Sequence, residues 1–226
     1  VRALPGKASR QPPGPEPVSR SGAAADQRRR ILEATADLIA KQGYADATIE
    51  QIVRHARVGY ATFYKHFADK DEAFLALLDA AIERTLFVVE EAFDSESGPW
   101  PDKVGAGLGA LLGQVAAHPN VARACLIEAP AAGPEPAARH EAALKRFTPL
   151  LRPGRELNPR QAELPETLED TLAGGVLWVI NQRLIAAEEA ELRALLPEAL
   201  EFLLRPYVGE DVAAREAGAA AEASSA

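Results

Sequence analysis

Apolar residues recur three and four positions apart along most of this chain, and the every-second-residue alternation of a half-buried strand is scarce. The sharpest pattern lies in residues 48–67, TIEQIVRHARVGYATFYKHF. Thr48 is placed to cap a helix, and Gln51 three positions on completes a capping box. Ile49, Ile52, Val53 and Ala56 then fall on one face. Residues 56–59 form a turn in which Gly59 serves as N-cap of a second helix, with Val58 stapled onto Phe63. Phe63 and Phe67, one turn apart, point inward and leave Tyr60, Ala61, Tyr64 and Lys65 outside. The pattern predicts a helix-turn-helix with an aromatic and basic outer face.

Flanking periodicity predicts an all-α chain with a three-helix head and a six-helix body. The first helix covers residues 26–42, with Ile31, Thr35 and Leu38 in line, Leu32, Ala36 and Ile39 beside them, and Gly43 as its C-cap residue. A capping box from Asp69 to Glu72 opens the fourth helix, which carries Phe74, Leu77, Leu78, Ala81, Thr85 and Val88 in a stripe to about residue 93. Residues 95–102, with Trp100, read as a loop. Helices follow over 103–117, 119–128, 137–151, 161–187 and onward to Tyr207. Gly105, Gly107, Gly109 and Gly113 loosen the fifth helix. The eighth is apolar on nearly every side from Leu172 to Ile180 and holds Gly174 and Gly175, each costing about 1 kcal/mol relative to Ala. The ninth presents Leu196, Ala199, Leu200, Leu203 and Leu204 on one face, the expected dimer interface. Expected domains are a head over 25–70 and a body over 71–208, with disordered segments at 1–24 and 209–226.

A net charge of −8 argues against a nucleic-acid partner until it is resolved along the chain. Residues 1–70 hold 12 Lys/Arg against 7 Asp/Glu, whereas 71–226 hold 13 against 26. The positive charge lies where the helix-turn-helix lies. Arg28 to Arg30 stand at the mouth of the first helix, in reach of a phosphate. The four histidines, His55, His66, His118 and His140, show no metal-ligand spacing, and no nucleophile elbow, phosphate loop or dinucleotide fingerprint occurs. Neither an enzyme nor a metal or cofactor is expected. His55 reads as a surface residue without a role. No apolar run reaches membrane-spanning length, the N-terminus lacks an apolar signal core, and Cys125 is the single cysteine. These features predict a cytoplasmic protein.

The spacing of Thr48, Ile52, Ala56, Val58, Thr62-Phe63-Tyr64, His66-Phe67 and Lys70 resembles the signature of the TetR/AcrR family of transcriptional repressors. The resemblance implies a homodimer on a double-stranded, pseudo-palindromic operator, released by an apolar small-molecule effector. It implies phosphate contacts from Thr48, Tyr64, His66 and Lys70, and places Tyr60, Ala61 and Thr62 toward base edges, with Lys65 on the same exposed side. It also implies a ligand cavity in the body, near which Cys125, Phe147, Trp178 and Asn181 are placed. The chain departs from the family at Arg57 and Gly59, where Gly and Ser are frequent. The alternative is a small-molecule-binding or adaptor protein whose head no longer reads DNA.

Overall fold

In the computed structural model, described over residues 20–225, the regular elements are all helical. Helices α1 (Arg20–Gln42), α2 (Ile49–Ala56) and α3 (Tyr60–His66) build the head. The long α4 (Lys70–Ser95) leads out of it, antiparallel neighbour α5 (Trp100–Ala117) packs along α4, and α6 (Pro119–Arg123) runs into a π-helical turn, Ala124–Glu128. Then come α7 (Pro134–Lys145), the single turn α8 (Thr148–Leu151), α9 (Leu168–Ile185), α10 (Leu196–Val208) and α11 (Glu210–Ser225).

The head forms as its local signals dictate. Thr48 Oγ1 accepts from the Gln51 amide at 3.3 Å, and Gln51 Oε1 accepts from the Thr48 amide at 2.9 Å, so both sides of the capping box are made. Gly59 caps α3 without a side-chain bond. Phe63 is fully buried and Phe67 nearly so, their rings 5.9 Å apart among Ile31, Ile39, Ile52 and Phe74. Thr35, polar and buried in this core, satisfies its hydroxyl on the Ile31 carbonyl at 2.8 Å. Gly43 ends α1 at φ 85°.

Arg57 ends α2 in the left-handed region, φ 55° and ψ 47°, a conformation that costs a residue with a Cβ about 1–2 kcal/mol. Its side chain is exposed. Arg57→Gly is therefore expected to raise stability by about 1 kcal/mol in urea denaturation. An unchanged or lower midpoint would show that the turn carries no such strain.

Packing in the body revises several expectations. Leu200, Leu203 and Leu204 are buried within the chain at 2%, 5% and 0% exposure. The face they share with half-buried Leu196 and Ala199 turns toward α5 and α11, not outward to a partner. Two of the α5 glycines, Gly105 and Gly109, serve this contact. A methyl built on Gly105 would lie 3.4 Å from Leu200 Cδ2, and one on Gly109 would lie 3.6 Å from Leu196 Cδ2. They are close-packing positions rather than loose ones. Within the expected tail at 209–226, residues 210–225 form the helix α11, which turns back at Gly209 (φ 82°) and buries Ala213 and Ala217; residue 226 lies outside the described residues. The first helix begins at Arg20, so residues 20–24 of the expected N-terminal arm are helical; residues 1–19 lie outside the described residues. Trp100 opens α5 instead of lying in a loop. Its indole Nε1 donates to the Leu150 carbonyl at 3.0 Å and its ring covers Gly154, where an added Cβ would come within 2.4 Å of it.

One buried ion pair braces the body. Arg155 donates to both oxygens of Glu169, at 2.7 and 2.8 Å, and the Tyr207 hydroxyl donates to the same carboxylate at 3.1 Å. The pair ties the 3-10 turn Arg152–Leu157 to α9 and α10.

Candidate nucleic-acid interface and body cavity

With Phe63 and Phe67 locked inward, α3 presents its other side to solvent. Tyr60 is 50% exposed and Tyr64 55%, and Ala61 and Lys65 are also exposed. The Phe63 edge supports the Tyr64 ring at 5.6 Å between centroids, so a buried residue orients an exposed one. Thr48 is exposed at the start of α2, and Thr62 is half-buried. These side chains share one surface whose chemistry is aromatic, hydroxyl and cationic, the set that meets phosphates and base edges.

Two of the expected phosphate ligands sit differently. His66 Nε2 is buried without a hydrogen-bond partner among the described residues. Burial first, then the charges of Lys65 and Arg28, hold the His66 pKa below its ordinary value, so the ring is neutral near pH 7. It packs beside Phe67 rather than reaching out as a cation. Lys70 is half-buried; its ammonium donates to the Tyr44 carbonyl at 2.8 Å and lies 4.2 Å from the Tyr44 ring centre. It fastens the start of α4 to the α1–α2 loop. Lys65 is thus the exposed cation of α3. The Arg28–Arg30 run is also engaged. Arg28 lies 5.4 Å over the Phe67 ring, Arg29 pairs with Asp26 and Glu33, and Arg30 donates to the Ala56 carbonyl at 3.1 Å.

Among the described residues, two apolar cavities in the body lie side by side. The first, about 100 Å³, lies between α4, α5, α6 with its π-turn, and α7, and is lined by Leu78, Ile82, Leu111, Cys125, His140 and Phe147 among others. The second, about 80 Å³, is lined by Val89, Phe93, Leu108, Leu151, Val176 and Leu203 among others. Leu111, Phe147 and Leu177 border both. Burial pushes the Cys125 thiol up to about 12, so it is a neutral wall residue. Of the four residues expected near a cavity, Cys125 and Phe147 line one. Trp178 does not: it is 63% exposed on the outer side of α9. Asn181 borders neither cavity; it lies one turn from Trp178, its carboxamide oxygen buried without a partner among the described residues. Gly175 also faces outward, under the Phe202 ring, 3.1 Å from where a Cβ would stand.

Sequence reasoning missed the residues that tie head to body. Asp37 on α1 accepts from Asn120 Nδ2 on α6 at 2.8 Å and contacts His55 Nε2 on α2 at 3.0 Å. His55 therefore has a partner that the reading of a bare surface residue did not include. Glu128, last in the π-turn, accepts from the Tyr44 amide at 2.9 Å. The Asn120–Asp37 and Tyr44–Glu128 contacts span 83 and 84 residues, and no local signal announces them.

The site thus combines a helix-turn-helix on a three-helix head with a helical body that holds apolar pockets. Residues 31–77 match the family described as "Bacterial regulatory proteins, tetR family", and the fold of the whole chain is similar to that of a TetR family transcription regulator from Marinobacter aquaeolei VT8, with a TM-score of 0.64 at 18% identity over 80% of this chain and 97% of the other. The chain is 34% identical over 58 residues to the HTH-type transcriptional regulator HbdR of Aromatoleum sp. (strain CIB), a match covering 26% of this chain and 25% of that protein. It thus spans about a quarter of the length of that curated relative. Among solved structures, the fatty acid degradation regulator FadR from Bacillus halodurans superposes with a TM-score of 0.69 at 21% identity, over 78% of this chain and 97% of the other. FadR from Bacillus subtilis, in complex with stearoyl-CoA, superposes with a TM-score of 0.61 at 19% identity, over 78% and 97%.

Proposed function

We propose that the chain is a cytoplasmic, ligand-responsive transcriptional regulator, a repressor that leaves a pseudo-palindromic operator when an apolar small molecule enters its body. The observation that carries the reading is the two-sided α3: Phe63 fixes the helix in the core, and Tyr60, Ala61, Tyr64 and Lys65 stand together in solvent. Tyr60, Ala61 and Thr62 read base edges; Thr48, Tyr64 and Lys65 hold phosphates. His66 and Lys70 contribute by fixing the head rather than by direct contact.

Two heads are needed about one helical turn of DNA apart, so the protein acts as a homodimer. Its dimer face is the outer stripe of α9 and α10. Trp178, Ile185 and Phe202 are 63%, 59% and 47% exposed, and Gly174 leaves open space beside them. The effector site is the first cavity. The segment from Asn120 to Glu128 lines it through Val121, Ala122 and Cys125 and grips the head through Asn120 and Glu128. A ligand that shifts this segment changes the head's position, and the coupling works equally in both directions.

Selection of bound duplexes from a random pool tests the reading. It should enrich an inverted repeat with half-site centres about 34 Å apart, and Tyr60→Ala should alter the enriched sequence. Retention of all duplexes alike would contradict it.

A further inference from the structure

The chemistry of the two cavities narrows the effector class. This inference rests on the first cavity being the effector site. None of the residues lining either cavity is Lys, Arg, Asp or Glu. A charged ligand group would lose its hydration there and meet no counter-charge, which is costly. The second cavity is lined by apolar side chains and one glycine alone. Polar groups stand only in the first: Thr85, Gln114, His118 and His140, besides the un-ionised Cys125 thiol.

His140 has a defined tautomer. Its Nδ1 lies 3.2 Å from the Cys125 carbonyl oxygen, which can only accept, so Nδ1 carries the proton. In the neutral ring Nε2 is then an acceptor, and it has no partner among the described residues. Burial holds the His140 pKa below its ordinary value despite that bond, in keeping with a neutral ring.

Volume adds a second constraint. Cavities of about 100 and 80 Å³ are each smaller than the ~300 Å³ at which ligand sites begin. Phe147 borders both, in the break between α7 and α8, where its backbone is outside either helix. Its ring forms the partition together with Leu111 and Leu177.

We propose that the effector is an uncharged, elongated molecule with a hydroxyl-type donor at one end: the donor binds His140 Nε2 and the hydrocarbon displaces the Phe147 ring into a merged chamber. Such a ligand differs in kind from an acyl-CoA, whose phosphates would find no cation in these walls.

Calorimetric titration of the full chain with three probes of equal length tests this: octan-1-ol, its isostere 1-methoxyheptane, and octanoate at pH 7.5. Octan-1-ol should bind about tenfold more tightly than the ether, because the ether leaves the His140 acceptor unpaired, and more tightly still than octanoate. His140→Leu should abolish the alcohol-over-ether preference while the ether binds as before, which also reports that the variant is folded. Phe147→Ala should strengthen binding of both neutral probes several-fold. Octanoate binding as well as octan-1-ol would overturn the inference. So would an alcohol-over-ether ratio untouched by His140→Leu, or no binding of any probe up to its solubility. Discrimination as expected, with operator affinity unchanged by octan-1-ol, would leave the ligand chemistry of the cavity standing and remove the effector reading on which the proposal builds.

Discussion

A chain carrying Trp178→Glu and Phe202→Glu is expected to sediment as a folded monomer and to bind its operator 10²–10⁴-fold more weakly than wild type. Both side chains are largely exposed, so glutamate at either position meets solvent and the core is left intact. The Phe202 ring lies on Gly175, one turn of α9 from Trp178, so the two substitutions strike one patch. A stable homodimer needs well over ~1,000 Å² of buried surface, and two charges at the centre of such a patch are costly to desolvate. Losing the dimer separates two linked half-site contacts into two independent weak ones, which accounts for the size of the affinity change. Helix content and melting should stay close to wild type. Leu200→Glu would be a different experiment, because Leu200 is buried against α5 and a charge there would disrupt the core. A double variant that remains dimeric, or a wild type that is monomeric at micromolar concentration, would place the interface elsewhere.

The second large effect concerns the body brace. Glu169→Ala should cost about 3–5 kcal/mol, because it leaves the Arg155 guanidinium facing a vacated, largely buried site and strips the Tyr207 hydroxyl of its acceptor. Burial by itself would raise the Glu169 pKa. The bonds from Arg155, the backbone and Tyr207 outweigh it and hold the carboxyl below its ordinary 4.5. A lowered carboxyl contributes stability that is complete above the unfolded value and is lost as pH falls through the folded one. Wild type should therefore lose this contribution below about pH 4.5, and Glu169→Ala should show a shallower decline there. Urea titrations of both chains at pH 7 and through the acid range measure it. A cost under about 1 kcal/mol at pH 7 would mean that the pair only breaks even with its desolvation.

The head was legible because its signals are local and agree with one another. The capping box at Thr48, the glycine cap at Gly59 and the spacing of Phe63 and Phe67 each specify the same two helices, and the structure has them. The body was legible as helices but not as faces. In α9, apolar residues surround the helix, so the pattern alone cannot say that Ile180 is fully buried while Trp178 is exposed. In α10 the leucine stripe is genuine, but the partner it meets is α5, whose glycines admit it, and periodicity carries no address. Residues 209–226 read as solvated because alanine is cheap to expose. Ala213 and Ala217 are buried because α10 and α5 supply a surface for them. Lys70 and His66 sit at the matching positions of the signature, yet one is tied to Tyr44 and the other has a buried ring nitrogen, distinctions made by tertiary contacts alone.

The central claim is that exposed residues of α3 hold DNA, and the salt dependence of operator binding tests it most directly. Fluorescence anisotropy on the duplex selected from the random pool should give an association constant that falls linearly with salt on logarithmic axes, by about 0.9 for each neutralised phosphate. Lys65→Ala removes one such cation per head, so in a dimer the slope should fall by about two units, with sequence preference unchanged. A binding constant that ignores salt, or a slope that Lys65→Ala leaves as it was, would contradict the assignment of this surface to DNA.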